Sequence, residues 1–253
     1  MNLKDIRRYF LLSHLTYKAK YADSSIGILW IPISNLFLIA VLTLVFNSGE
    51  AKLLAYASYI TVGYISWNFL SDTLNGGCDV FRARRNDLGS PGASIGSVFV
   101  QALIDRVYVF LLNCIALSFL FLPGVLFEME RLFVLIVALT SIVTTSFLCS
   151  YLTSVFTLYF PDFKRLISNL TRILFFSSPI FWGFGTVLSG ARLYFYTYNP
   201  ITYFLELMRY SFGADINMSI TVAVETVVLI NLVLAVLCFM VFKLQPPYIK
   251  NIQ

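Results

Sequence analysis

The sequence predicts an all-α membrane protein of about six transmembrane helices, and three observations predict it. Hydrophobic residues make up 58% of the 253 positions and charged residues only 12%, whereas soluble domains carry about 25% charged residues. The mean hydropathy is +0.80, which calls for hydrocarbon as the surrounding solvent. The apolar runs are continuous over about 18 to 25 residues rather than alternating. That selects helices over a closed barrel, the other fold that satisfies every backbone amide in lipid.

The elements follow in order. Within residues 2–21, Leu3, Ile6, Phe10, Ser13 and Tyr17 recur at helical spacing, with Lys4, Arg7, Arg8 and Lys18 interspersed. This is the pattern of an amphipathic helix lying on a membrane surface. The same stretch is mixed and charged rather than basic and then apolar, so no cleaved signal peptide is expected. Spans are placed at 27–46, 56–75, 107–122, 132–152, 166–187 and 219–242, each near the ~20 residues that a hydrocarbon core requires. The whole chain, 1–253, is read as one transmembrane domain. Residues 1–26 form the interface helix, 27–182 spans one to five, 183–218 an extracytoplasmic segment, and 219–253 the sixth span with its tail.

Basic residues sort by side. Lys4, Arg7, Arg8, Lys18, Lys20, Arg82, Arg84, Arg85, Lys164, Arg165, Lys243 and Lys250 fall in alternate segments, and Lys52, Arg131, Arg192 and Arg209 in the others. The positive-inside rule then puts both termini in the cytoplasm. The 183–218 segment is short, apolar and aromatic, holding Tyr194, Phe195, Tyr196, Tyr198, Tyr203, Phe204 and Phe212. It is read as two short re-entrant helices dipping into the outer interface and broken at Asn199-Pro200, because a residue before proline avoids the helical region. An ordinary aromatic belt is the alternative.

Several chemistries lack their residues. No Gly-Lys pair is present, so the chain has no phosphate loop and any energy from ATP comes from elsewhere. The lone histidine, His14, supports neither a zinc site nor a histidine triad and reads as an interfacial residue. Cys78, Cys114, Cys149 and Cys238 are scattered and read as small apolar fillers. Asp72, Asp105, Arg106, Arg172 and Glu225 all fall near expected span ends, where snorkelling explains them, so no coupling-ion site is expected. No catalytic residue, bound metal or nucleic-acid partner is expected.

The spans offer aromatic and hydroxylated faces instead. Tyr56, Tyr59, Gly63 and Ser66 follow a three-to-four residue spacing, with Tyr64 and Trp67 on the adjacent stripe. Thr140, Thr144, Phe147, Tyr151 and Ser154 share a face of the fourth span. Such faces suit sugars, whose C-H surfaces stack on rings while their hydroxyls exchange hydrogen bonds; helix-to-helix packing is the alternative use of the small residues.

Four local patterns resemble a known family. Gly27-Ile28-Leu29-Trp30 is similar to a Leu-Gly-x-Leu-Trp opening of the first span, preceded by the basic stretch 18–21. Phe160-Pro161-Asp162-Phe163 resembles an aromatic-Pro-acid cytoplasmic turn. Ser178-Pro179-Ile180-Phe181 resembles a Ser-Pro kink in the fifth span, and Asn199-Pro200 with Glu206 and Arg209 looks like the head of a second external gate helix. In order and spacing they resemble the membrane subunit of ABC-2 type exporters of O-antigen, capsular polysaccharide or teichoic acid, of the Wzm and KpsM type. One departure is that the family often has proline five residues after the tryptophan, where this chain has Asn35, with Pro32 earlier.

The resemblance implies a homodimer with two cytoplasmic ATP-binding cassette subunits, which would hold ATP and magnesium. It also implies a polyprenyl-linked glycan as cargo and a place in the bacterial cytoplasmic membrane, in contact with its lipid. It assigns ATPase coupling to the segment 79–91, with Arg82, Arg84, Arg85, Asp87 and Pro91. An extracytoplasmic gate is assigned to Tyr194, Tyr196, Tyr198, Asn199, Pro200, Tyr203 and Arg209. The substrate path is expected to use Trp30, Tyr56, Tyr59, Tyr64, Trp67, Phe176, Phe181 and Trp182, and replacing Tyr59 and Trp67 by alanine is expected to reduce surface glycan at unchanged protein level. An ABC-2 exporter of a drug, lipid or other small molecule, a membrane-embedded enzyme and a scaffold protein remain the rival classes.

Overall fold

The computed structural model describes residues 3–47, 53–83, 95–120, 128–184, 188–214 and 216–244. The described residues are helical throughout, with no strand among them. The helices are α1 (Leu3–Lys20), α2 (Trp30–Phe46), α3 (Leu53–Gly77), α4 (Ile95–Ala116), α5 (Met129–Tyr159), α6 (Phe163–Ser177), α7 (Gly190–Tyr198), α8 (Pro200–Ser211) and α9 (Ile220–Leu244). Four segments are long and apolar enough to cross a membrane: Gly27–Phe46, Gly96–Ala116, Met129–Tyr159 and Ile220–Leu244.

α3 is not one of the four, and its position explains why. At 25 residues it is about 37 Å long, ample for a bilayer, but it carries Tyr56, Tyr59, Thr61, Ser66 and Thr73. All five are buried. Surrounded by α2, α4, α5, α6 and α8, it meets protein rather than lipid, so its outer surface need not be apolar. Its hydroxyls are satisfied locally: Thr61 donates to the Ala57 carbonyl at 2.6 Å, Ser66 to Val62 at 2.8 Å and Thr73 to Phe69 at 2.7 Å. At Gly77 the backbones of α3 and α5 come so close that a side chain would overlap Ser150 and Thr153, the small-residue packing that membrane helices favour.

α9 is the opposite case. Val228, Leu229, Leu232, Val236, Phe239 and Met240 are exposed, and only one side is covered, where Thr145 of α5 donates to Asn231 at 3.0 Å and the Cys238 thiol to the Leu148 carbonyl at 3.5 Å. The four cysteines are free thiols, as their scatter predicts. Thr140 and Thr144 also face outward but turn their hydroxyls into the helix, onto Ile136 and Thr140 carbonyls. Ser154 is buried and Tyr151 packs edge-on to Phe99 at 5.7 Å, so the polar stripe expected on this helix is a packing and lipid-facing surface.

Four boundaries differ from expectation, one of them the end of α5 at Tyr159 where the expected fourth span ends at 152. The third helix begins at Ile95, twelve residues before the expected span, so Asp105 and Arg106 lie within it rather than near an end. They are tolerated there because they face other helices: Asp105 accepts from Ser13 of α1 at 2.6 Å and from Gln101 at 2.7 Å, and Arg106 donates to Ser150 of α5 at 3.3 Å. This third helix also ends at Ala116, followed by a 3-10 turn at Ser118–Leu120. The helix expected over 166–187 stops at Ser177, where Ser178 turns extended ahead of Pro179, leaving 15 residues or about 22 Å.

The surface helix expected over 2–21 forms as α1, and it is anchored. Ser13 is fully buried against α4, His14 Nδ1 lies 2.8 Å from the Tyr108 hydroxyl, and Tyr17 stacks on Tyr108 at 5.8 Å. Burial, helped by the Asp105 carboxylate, pushes the Tyr17 phenol up to about 12, so it stays neutral. Leu11, Leu12 and Leu15 are exposed on the other side.

Asn35, which stands where the resembled family has proline, ties the first two long helices to the third. Its amide donates to Asn113 of α4 at 2.7 Å with both residues buried, and it accepts from Tyr64 of α3 at 3.4 Å. Pro32 sits in the first turn of α2, where no intrahelical partner is lost. Asn35→Leu and Asn113→Leu are each expected to cost about 1 kcal/mol in reversible unfolding from detergent micelles, and the double variant less than their sum, because neither amide is then left unpaired.

Candidate functional site

The segment 183–218 was expected to form two short helices broken at Asn199-Pro200, and α7 and α8 meet there. Asn199 caps α8, its side chain accepting from the Ile201 amide at 3.0 Å, and Pro200 occupies the first turn. The helix ends where Gly213 adopts φ +81°, the left-handed conformation that closes helices.

The surroundings of α8 differ from an interface helix. It packs on α3, α5 and α9, and Leu205, Glu206, Leu207 and Arg209 are all at most 1% exposed. Arg209, expected in the external segment, is fully buried within the bundle, where Glu206 one turn earlier neutralises it. Arg209 Nη1 donates to Glu206 Oε1 at 2.8 Å and Nη2 to the Ile180 carbonyl at 3.0 Å. The guanidinium lies over the Tyr59 ring, 3.5 Å from its centroid. Glu206 Oε2 accepts from Tyr196 of α7 at 3.0 Å. Gly63 makes the space: a methyl group there would lie 2.5 Å from Arg209 Nη2.

The turn at 178–182 closes the same cluster from the other side. Tyr56 donates to the Phe181 carbonyl at 2.5 Å and Tyr59 to the Trp182 carbonyl at 3.1 Å. Asn199 donates to Ser178 Oγ at 2.8 Å with both buried. Two of the motifs behind the family resemblance, Ser178-Pro179 and Asn199-Pro200, therefore touch. The carbonyls of Ile180, Phe181 and Trp182 in the turn after α6 thus receive a guanidinium or phenol donor, which is what permits irregular backbone inside an apolar bundle. Below it, the Arg131 guanidinium sits 5.2 Å from the Tyr210 ring and donates to the Tyr210 carbonyl at 3.2 Å, while the Tyr210 hydroxyl donates to Glu130 at 2.8 Å. This pins the start of α5 to the end of α8.

The expected site residues separate by location. Tyr56, Tyr59, Trp67 and Phe181 are buried within the chain and hold the frame, so their removal is expected to lower protein level as well as any transport. Trp30 and Phe176 are exposed, and Tyr64 and Trp182 half-buried. Of the gate residues, Tyr194 and Tyr198 are exposed and stack on each other at 6.2 Å, and Pro200 is exposed. Tyr203 is half-buried and donates to the Thr197 carbonyl at 2.6 Å, while Tyr196, Asn199 and Arg209 are buried. Arg84, Arg85, Asp87 and Pro91 lie outside the described residues, as does the side chain of Arg82. Glu206 is the functional-site residue that sequence reading undervalued; its signal was an acid and a base three apart inside an otherwise apolar helix.

No protein-family model and no curated protein matches this chain. The geometry is that of an all-helical bundle with four helices long and apolar enough to cross a membrane, and its described residues hold one fully buried ion pair at a helix break.

Removing one member of that pair strands the other charge. Arg209→Met and Glu206→Met are each expected to destabilise the bundle by about 3 to 5 kcal/mol, read as loss of folded protein in detergent, with the double variant recovering most of it. Gly63→Ala is expected to act in the same direction through the displaced guanidinium.

Proposed function

We propose that the chain is the channel-forming permease subunit of an ABC transporter that exports a lipid-linked polysaccharide, of O-antigen or capsule type, across a bacterial cytoplasmic membrane. In this reading two copies associate with two cytoplasmic ATP-binding cassette subunits, which hold ATP and magnesium and supply the energy. Six spans arise from the four long apolar helices, from α3, and from α6 with the turn that follows it. α7 and α8 are a re-entrant pair entering from outside, and both termini are cytoplasmic.

One observation carries the reading: the family-like motifs fall at the helix junctions that shape the bundle. Gly27-Ile28-Leu29-Trp30 forms the 3-10 turn that leads into α2, Phe160-Pro161-Asp162-Phe163 turns α5 into α6, and Ser178 and Asn199 join the two breaks by a hydrogen bond. The link between Lys164 and Asp79, at 2.6 Å, ties α6 to the start of the proposed coupling segment 79–91. Movement there would be transmitted along α6 to the turn held by Tyr56, Tyr59 and Arg209.

A channel that handles a long glycan needs many weak contacts rather than one tight one, since a processive path must release what it holds. The exposed and half-buried rings of Trp30, Tyr64, Phe176 and Trp182 suit that role in a dimer. A carrier for a drug, lipid or other small molecule shares the architecture, and the aromatic content favours sugar over it.

Affinity purification from the native membrane with mass spectrometry is expected to recover the chain as a dimer with an ATP-binding subunit and a polyprenyl-linked glycan. Trp30→Ala and Phe176→Ala are expected to reduce surface glycan at unchanged protein level. Glycan movement by the reconstituted chain alone, with no companion subunit and no triphosphate, overturns the proposal.

A further inference from the structure

α6 has three faces where a helix bordering lipid needs two. Ile167 and Thr171 face inward and are buried, with Leu174 and Phe175 half-buried beside them; Thr171 accepts from Asn75 of α3 at 3.2 Å. Leu166, Leu170 and Ile173 form an exposed apolar face, at 56%, 41% and 65% exposure. Between them, at spacings of four, three and four residues, runs an exposed stripe of Arg165, Asn169, Arg172 and Phe176.

Among the described residues Arg165 pairs with Asp162 alone, at 3.2 Å, and both side chains are almost wholly solvent-accessible. Arg172 has no hydrogen bond or ion pair among the described residues, and it is exposed. Side chains on a helix lean toward its N-terminus, so the Arg172 guanidinium reaches back over Asn169 toward Arg165, about 10 Å away along the axis. A cation on the membrane face of a helix is costly unless an anion meets it. Arg209 of α8 has its own acid; Arg172 has none among the described residues, and its exposed charge can be met by an anion from outside the chain.

We infer that the Arg165, Asn169, Arg172 and Phe176 stripe binds the phosphate end of an anionic membrane lipid. The Arg172 guanidinium and the Asn169 amide take the phosphate oxygens, Arg165 two turns nearer the N-terminus adds its charge to the same face, and the hydrocarbon chain lies along Leu166, Leu170, Ile173 and Phe176 toward Trp182. The charge complementarity and the adjoining apolar face select a phosphate-bearing amphiphile over free phosphate, which has no use for the second surface. The lipid site stands on this geometry alone. Its further assignment, as the place where the phosphate of a lipid-linked cargo first docks, rests on the function proposed above.

Trp182 reports on the site, because its indole N-H donates to the Phe176 carbonyl at 3.2 Å. In a Trp30→Phe background, where Trp67 is buried, the chain is reconstituted in phosphatidylcholine bilayers. Tryptophan quenching is then compared for phosphatidic acid and phosphatidylcholine with brominated chains. Phosphatidic acid is expected to quench at a lower mole fraction, with the preference falling about fivefold for each of Arg165→Gln and Arg172→Gln and surviving in Arg172→Lys. Inorganic phosphate is expected not to compete. Equal quenching by the two lipids, a preference that survives both glutamine substitutions, or full competition by inorganic phosphate overturns the inference. Because the readout needs neither a partner nor ATP, its failure leaves the export reading standing, and a failure of export leaves the lipid site standing.

Discussion

The arrangement of this bundle depends on one buried ion pair. Arg209 and Glu206 sit on a short helix with their charges out of contact with any solvent, and an isolated charge in such a place costs several kcal/mol even after relaxation. What makes the position tenable is that three neighbouring pieces of chain contribute to the cluster. α7 supplies Tyr196, α3 supplies the Tyr59 ring and the gap at Gly63, and the turn after α6 supplies the Ile180 carbonyl. The turn after α6, α7 and α8 are therefore held in one register with the distant α3 by polar geometry, within the apolar core around them.

The same cluster accounts for a broken helix in the interior. A chain that stops being helical among apolar side chains leaves carbonyls without partners, and in lipid no water can supply them. Here Tyr56, Tyr59 and Arg209 donate to the carbonyls of Phe181, Trp182 and Ile180. The break at Ser178-Pro179 and the break at Asn199-Pro200 are joined directly by Asn199 and Ser178. A pair of breaks so joined makes one compact unit.

Much of this was legible in the sequence where composition alone decides. The first span, α1 and α9 are marked by long apolar or amphipathic runs, and the two short helices follow from Asn199-Pro200. What was not legible depends on which face a residue turns to a neighbour. The start of α4 was placed too late because Gln101, Asp105 and Arg106 lower the local hydropathy, although they bond to α1 and α5 rather than to lipid. The fifth helix was drawn through Pro179 because the residues beyond it remain apolar. The burial of Arg209 was not legible because its pairing with Glu206 is apparent only once α8 is seen packed on α3, α5 and α9. Tyr56, Tyr59 and Trp67 fit a stacking path by spacing, yet the same spacing serves a core, and burial decides between the two.

The claim on which the account turns is that α8 is held inside the bundle by its charges. It is tested most directly in a chain whose four native cysteines are replaced by alanine, carrying a single cysteine at Leu205 or at Tyr198 and exposed in membranes to a membrane-impermeant maleimide. Tyr198 is 77% exposed and Leu205 is 0% exposed, so the cysteine at 198 should label readily and the one at 205 only after denaturation or once Glu206→Met has stranded Arg209. Equal labelling of both positions in the otherwise intact protein would place α8 on the surface and contradict the account.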